Sequence, residues 1–328
     1  MSIKLPVGLT GTFTYVDCGA AGDRFNSLLR NFITTNYIGF DPGLQSTLVN
    51  EDHSVFFPVA VSKESAQMEF HHTKNPNCSS FFKPNHEFLN AFMEVGEFFE
   101  VSDTISLKTV SLDDYLPRQN VTDVDFIELD TQGAELGILQ GSQKFLASQV
   151  LGVRVEVEFA EMYKGQPLFG DIDSYLRRFG FMLFDLDRYH LRRNSYPVGV
   201  DSREQIVWGQ ALYLRDFRSL SNEPAVSKQK LLKLAVVASH YGFHSYALEI
   251  VNYLEQSVNL FSPEEKKELK NAFSLYISSL KDNPHLKWAN RLNKPPFRKT
   301  FYCWWKSISK YYAAFRFVMD RQQYFWKD

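Results

Sequence analysis

Twice in this chain an apolar run ends in an acid and gives way at once to a glycine turn and helically spaced apolar positions. The first copy is TFTYVDCGAAGD at residues 12–23, and the second is DVDFIELDTQGAELGILQG at residues 123–141. Each predicts a strand, a tight turn and a helix, the repeating unit of an α/β sheet. After the first turn, Phe25, Leu28, Leu29, Phe32 and Ile33 keep helical spacing within DRFNSLLRNFIT. YIGFDPG at residues 37–43 predicts a second strand ending in Asp41, and SVFFPVAVS at 54–62 a third, weakened or moved to a sheet edge by Pro58.

Residues 70–85, FHHTKNPNCSSFFKPN, are polar, rich in Asn, Pro and Ser, and read as an irregular loop. ISLKTVSLDDYL predicts a strand and a short helix capped by Ser111; VRVEVEF alternates as a strand; DIDSYLRRFGF is a helix closed by Gly180, and FMLFDLD and QALYLRD are the last strands. Strands alternating with helices at this rhythm predict a mostly parallel, doubly wound sheet.

The composition changes at SLSNEPAVS, residues 219–227, which divides the chain into an α/β domain at 1–219 and a helical C-terminal domain at 220–328. In the latter, KLLKLAVVASHYGFHSYALEIVNYLEQ predicts a helical hairpin about Gly242, and PEEKKELKNAFSLYISSL a third helix. The last stretch, residues 298–328, mixes seven basic residues and many aromatics with two acids. Such a tail suits peripheral contact with an anionic membrane surface, at the inner face if the protein is cytoplasmic, or packing on the body or on a second copy in a homo-oligomer.

A formal charge of −2 argues against a dedicated nucleic-acid binder. Three scattered cysteines make neither a disulfide framework nor a zinc site and fit a cytoplasmic protein. No apolar run is long enough to span a bilayer, and the first residues do not have the pattern of a signal peptide.

In Asp17-Cys18-Gly19-Ala20-Ala21-Gly22 the glycines let the backbone turn and approach a ligand. An acid holds the position where the dinucleotide fingerprint has its first glycine, which argues against a nicotinamide-dependent oxidoreductase. YVDCGAAGD, FDPG, NPNCSSFFKPN, VSLDDYL, DFIELDTQGAELGILQG, YKGQPLFGDID, GFMLFDL and ALYLRD, taken in order over about residues 12–216, resemble the FkbM-type S-adenosylmethionine-dependent methyltransferases. The resemblance implies a Rossmann-like class I methyltransferase sheet that transfers a methyl group to a hydroxyl, typically of a glycan or a polyketide.

By position, the resemblance implies that Asp17, Gly19, Ala20 and Gly22 line the methionine part of the donor, that Asp41 binds its ribose hydroxyls, and that Asp130 stands beside the transferable methyl. The chain departs from the family at Gln132, where a glutamate is usual. An amide there can hydrogen-bond but cannot act as a base.

Methyl transfer to a hydroxyl needs a base, and Asp130, Glu135, Glu156, Glu158, His71 and His72 are the candidates, with Asp130 favoured because it ends a strand where ligands of open α/β sheets bind. Glu156 and Glu158 share one face of their strand. A divalent cation held by Asp130 with Glu135 or Glu158 would be another way to acidify the hydroxyl. His71, Ser79, Ser80, Tyr163 and Gln166 are the candidate contacts of a sugar or glycan acceptor. A competing reading is a non-catalytic, methyltransferase-like scaffold or membrane-associated binding protein.

Overall fold

The computed structural model describes residues 12–20, 35–44, 46–49, 54–93, 95–195, 202–221, 228–256, 262–264, 266–268 and 270–271. Gly22 of the first turn, the helix expected after it, most of the third C-terminal helix and the basic aromatic tail lie outside the described residues. The chain divides into two compact units, Met1–Leu269 and Lys270–Asp328, and the sheets and their helices lie in the first.

The fold is mixed α/β. Its strands are β1 Phe13–Cys18, β2 Thr35–Phe40, β3 Leu48–Val49, β4 Ser54–Phe57, β5 Ala60–Val61, β6 Gln67–Thr73, β7 Val101–Val110, β8 Phe126–Leu129, β9 Gly152–Glu158, β10 Phe181–Leu191 and β11 Gln205–Arg215. Its helices include α1 His86–Leu89, α2 Leu112–Arg118, α3 Glu135–Gln140, α4 Gln143–Ser148, α5 Phe169–Arg177, α6 Phe217–Ser221, α7 Lys228–His240 and α8 His244–Gln256. Eight strands form one sheet in the order β10-β11-β9-β8-β1-β2-β4-β3. The pairs β4-β2, β2-β1, β1-β8 and β8-β9 are parallel, whereas β11 runs antiparallel to both β9 and β10. The centre of the sheet is therefore parallel, as the alternation of strands and helices predicts.

The period of two sorts the side chains between the faces. Val16, Cys18, Ile38, Phe40, Ile127, Leu129, Val153, Val155 and Val157 pack with Leu112, Leu116, Ile138, Leu139, Phe145, Leu146, Ile172 and Leu176 from α2 to α5 in one buried cluster. The alternate residues Tyr15, Tyr37 and Phe126 stack on the other face, where Tyr241 joins them. On that face Glu128 takes a short hydrogen bond from the Tyr15 hydroxyl and a 2.6 Å ion pair from Arg154. Ser111 caps α2, accepting from the Asp114 amide, as its position before the helix predicts.

Two segments differ from the pattern reading. SVFFPVAVS is not one strand: it breaks after Phe57, and Pro58 separates β4 in the large sheet from β5, which pairs with β7 in a second sheet of order β5-β7-β6. Residues 67–73 form β6, antiparallel to β7, although part of this stretch reads as loop. Polar side chains hide this strand, which is exposed or half-buried over residues 67–70 and buries only His71 and Thr73. The rest of the polar segment is held by a 3₁₀ turn at Pro76–Cys78, capped by Asn75, and by a bridge between His71 and Ser80.

The cluster at 219–227 leads into α7 and α8, which belong to the same unit as the sheet. Lys233 Nζ lies 2.7 Å from Asp125 Oδ2 and Lys230 Nζ 2.6 Å from Asp125 Oδ1, with Asp125 fully buried at the start of β8. No helix among the described residues is long and apolar enough to cross a membrane.

Candidate active site

The carboxyl ends of β1, β2 and β8 are stitched together by backbone hydrogen bonds. The Gly19 and Ala20 amides donate to Phe40 O at 3.0 and 3.2 Å, and the Asp130 amide donates to Cys18 O at 3.0 Å. Gly19 has φ +93°, and a Cβ there would lie 2.0 Å from Asp130 O, so the two turns approach as closely as they do only because position 19 has no side chain.

Above these ends lies an open cleft. Cys18, Gly19, Phe40, Asp41, Pro42, Val59, Ala60 and Val61 line one part of it; Phe70, Pro76, Asn77, Ser79 and Phe81 another; and Asp130, Thr131 and Gln132 complete it. Its charged lining, among the described residues, is two carboxylates, Asp41 and Asp130. Such a cleft offers acceptors to hydroxyls and opposite charge to a cation.

The turn after β8 is unusual in its backbone. Gln132 has φ +57° and Gly133 φ +101°, so two successive residues are left-handed. Glu135, buried at the start of α3, reaches back to accept from the Thr131 amide at 2.7 Å and the Thr131 hydroxyl at 2.9 Å. Gln132 Nε2 donates to Glu156 Oε2 at 2.6 Å and to Asp130 Oδ1 at 3.2 Å. The Tyr163 hydroxyl lies 3.0 Å from Gln132 Oε1 and 2.8 Å from the Cys78 carbonyl, and Ser80 Oγ donates to Gln132 O at 2.6 Å.

Behind the cleft-lining Asp130, the remaining acids are pushed toward their neutral forms. Burial raises Glu135 to about 7, Asp130 adding to the rise and the Thr131 hydrogen bonds opposing it. Burial also lifts Glu156 well above the usual range, followed by the charges of Asp130, Glu158 and Glu135. Glu158 rises for the same first reason, with Glu135 and Asp130 adding to it and the neighbouring Gln166 amide opposing it. Neither Glu158 Oε2 nor Gln166 Nε2 completes a hydrogen bond among the described residues.

A sequence model for the methyltransferase FkbM domain matches residues 17–183, about half of the chain, from the first acid through the second turn to the start of β10. The chain belongs to the FkbM methyltransferase family. No curated protein sequence matches it.

Within this FkbM domain the residues singled out from sequence fall into three groups. Gly19, Asp41, Asp130 and Ser79 line the cleft together. Asp41 Oδ1 also accepts from the Gly43 amide at 2.7 Å, which fixes the carboxylate at the end of β2. Glu135, Glu158, Ser80, Tyr163 and Gln166 are buried beneath or beside the cleft and act on it through other residues, Gln166 accepting from the Tyr163 amide at 2.5 Å. Asp17, Ala20 and His71 are buried outside the lining. Asp17 Oδ2 accepts from the Tyr37 hydroxyl at 2.5 Å on the aromatic face of the sheet. His71 lies in β6 with Nδ1 3.0 Å from Thr104 Oγ1, and burial, then the charge of Lys83, lowers its pKa.

Sequence reasoning did not select Thr131, Phe70, Phe81 or the Val59–Val61 segment for the FkbM cleft. The break at Pro58 was the available signal for the last of these, since it turns the chain toward the strand ends. Among the described residues no group of three His, Cys, Asp or Glu side chains is arranged to hold a metal ion, and the acidic cluster is instead bridged by an amide.

Proposed function

We propose that the protein is an S-adenosylmethionine-dependent O-methyltransferase acting on a hydroxyl of a sugar or glycan. The observation that carries this reading is the convergence of a close glycine turn, a ribose-ready carboxylate and a candidate base on one cleft at the carboxyl ends of parallel strands, in a chain of this family. The mostly parallel sheet with antiparallel β11 supports the class I, doubly wound form of the fold. The residues fit the donor in chemistry. Asp41 can accept from ribose hydroxyls, Val59, Ala60 and Val61 offer apolar surface to a base, and Asp130 offers negative charge to a sulfonium.

When bound, the cofactor supplies an electrophilic methyl group on positively charged sulfur. Asp130 would take the proton of the acceptor hydroxyl, leaving its oxygen able to accept that methyl group. Phe70, Phe81, Asn77 and Ser79 present the aromatic, amide and hydroxyl groups that hold a neutral, hydroxylated ring. Glu135 and Glu158 do not line the cleft and so tune the charge around Asp130 from behind.

Calorimetric titration with S-adenosylmethionine, S-adenosylhomocysteine and NADH tests the proposal. Micromolar binding of both sulfur nucleosides without NADH binding is expected, and justifies a screen of glycan acceptors. Silence for all three overturns the reading in favour of a non-catalytic scaffold.

A further inference from the structure

The proposed reaction leaves Gln132 without a part, although the acidic cluster converges on it. Its amide nitrogen serves two acids, Asp130 on the turn after β8 and Glu156 on β9, and a primary amide has one N–H for each. With Nε2 turned to these two carboxyl groups, Oε1 faces the Tyr163 hydroxyl at 3.0 Å, whose single proton is shared between it and the Cys78 carbonyl at 2.8 Å. The backbone is fixed as well. Gln132 holds a left-handed conformation, φ +57°, that a side-chain-bearing residue keeps only where its surroundings overdetermine it, and Ser80 Oγ locks its carbonyl. Three segments distant in sequence, the 78–80 turn, β9 and the stretch at Tyr163, thus aim one amide at the cleft-lining carboxylate.

The titratable neighbours that act on this cluster, among the described residues, are Glu156 and Glu158 from β9, Glu135 from α3 and Tyr163. Each acid that ionises there works against the charge of Asp130, whereas N–H donors favour it.

We infer that Gln132 is the positioning residue for Asp130: its neutral amide, shared between Asp130 and Glu156, fixes the orientation of the cleft-facing carboxylate and preserves its negative charge. The assignment rests on the proposed function, because it takes Asp130 as the group that faces a sulfonium and removes a proton. A glutamate at this position would reverse the effect, replacing two donors with a further like charge and forcing the cluster to take up a proton.

The test compares wild type with Gln132→Met, which keeps length without donors, and Gln132→Glu, which keeps shape and adds charge. S-adenosylmethionine and S-adenosylhomocysteine are titrated into each across a pH series. The two ligands differ in one positive charge and one methyl, so the ratio of their affinities reads the charge facing the sulfur. As pH is lowered, the preference for the cationic ligand is expected to fall away at a higher pH in Gln132→Met than in wild type, and at a higher pH again in Gln132→Glu. A displacement of one unit is about a tenfold loss of preference at a fixed pH inside that window. Raising the pH should restore it, with S-adenosylhomocysteine binding unchanged throughout. Equal ratios in all three proteins, or parallel loss of both ligands at every pH, overturn the assignment. If Gln132→Met fails to fold, Gln132→Glu, the closer isostere, carries the comparison. A wild type that binds neither nucleoside overturns the proposed function and this assignment together; variants indistinguishable from a wild type that binds both overturn the assignment alone.

Discussion

Gly19 and Asp130 meet across the gap between the ends of β1 and β8: a methyl group on Gly19 would sit 2.0 Å from the Asp130 carbonyl oxygen. A strand pair alone does not demand this. The two turns are pressed together at the cleft floor, and the left-handed φ of Gly19 makes the approach reachable. Gly19→Ala should therefore cost at least about 1–2 kcal/mol from the backbone conformation alone, before the clash separates the turns. A lowered melting temperature together with lost S-adenosylhomocysteine binding is the expected outcome. Unchanged binding would show that the contact between the turns does not shape the donor site.

Asp130→Asn keeps the shape of the cleft-lining side chain and removes its capacity to take a proton. Loss of a positioned general base typically lowers the rate by about 10²–10⁴-fold. With a hydroxyl acceptor identified, transfer should fall in that range while S-adenosylhomocysteine binding survives. Turnover at the wild-type rate would move the base elsewhere in the cluster.

Glu135 makes stability depend on pH in a definite direction. Burial raises its folded-state pKa to about 7 from the usual 4.5, so the folded protein holds a proton that the unfolded chain has released. The contribution is complete below the unfolded value, shrinks as pH rises and is lost above the folded value. The span corresponds to about 3 kcal/mol between pH 4.5 and 7. Glu135→Gln keeps an acceptor for the Thr131 amide without a titratable group. Thermal melts should show the variant gaining on wild type as pH rises from 5 to 8, and a constant difference would exclude Glu135 as the source.

Lys233 and Asp125 join the helical hairpin to the sheet through a buried ion pair of 2.7 Å. Lys233 also donates to the Thr12 carbonyl at 2.8 Å, and Asp125 accepts from the Thr14 amide at 2.9 Å, so the pair closes the amino-terminal ends of β1 and β8. Removing one partner of a buried pair costs about 3–5 kcal/mol, and the low end applies here because Lys230 still neutralises Asp125. Lys233→Met should lower the unfolding free energy in urea by about that amount. A loss below about 1 kcal/mol would mean that the pair behaves as an exposed one.

The turns that follow Asp17 and Asp130 were legible in the sequence because in each a period-two apolar run gives way to glycine, a change that strictly local physics imposes. The parallel centre of the sheet, Asp41 at the end of β2, the Ser111 cap and the shared face of Glu156 and Glu158 follow from the same periodicities. The family was legible in the order of short motifs. Strand β6 was not, because its stability comes from pairing with β7 rather than from its own polar residues.

What the sequence could not decide is which of its acids face the cleft. Asp17 has the position of a donor-binding residue in the chain, yet its carboxylate is engaged by Tyr37, twenty residues away in sequence and one strand away in space. Asp130, Glu135, Glu156 and Glu158 are alike as letters. Only the packing makes Asp130 the lining residue and buries the other three, and only tertiary contact with Ser80, Glu156 and Tyr163 turns Gln132 from a departure at one position into the centre of a network. Periodicity and turn chemistry act between neighbours along the chain and are written in it. The environment of a charge is set by residues that folding brings together from elsewhere, and for that the three-dimensional structure is required.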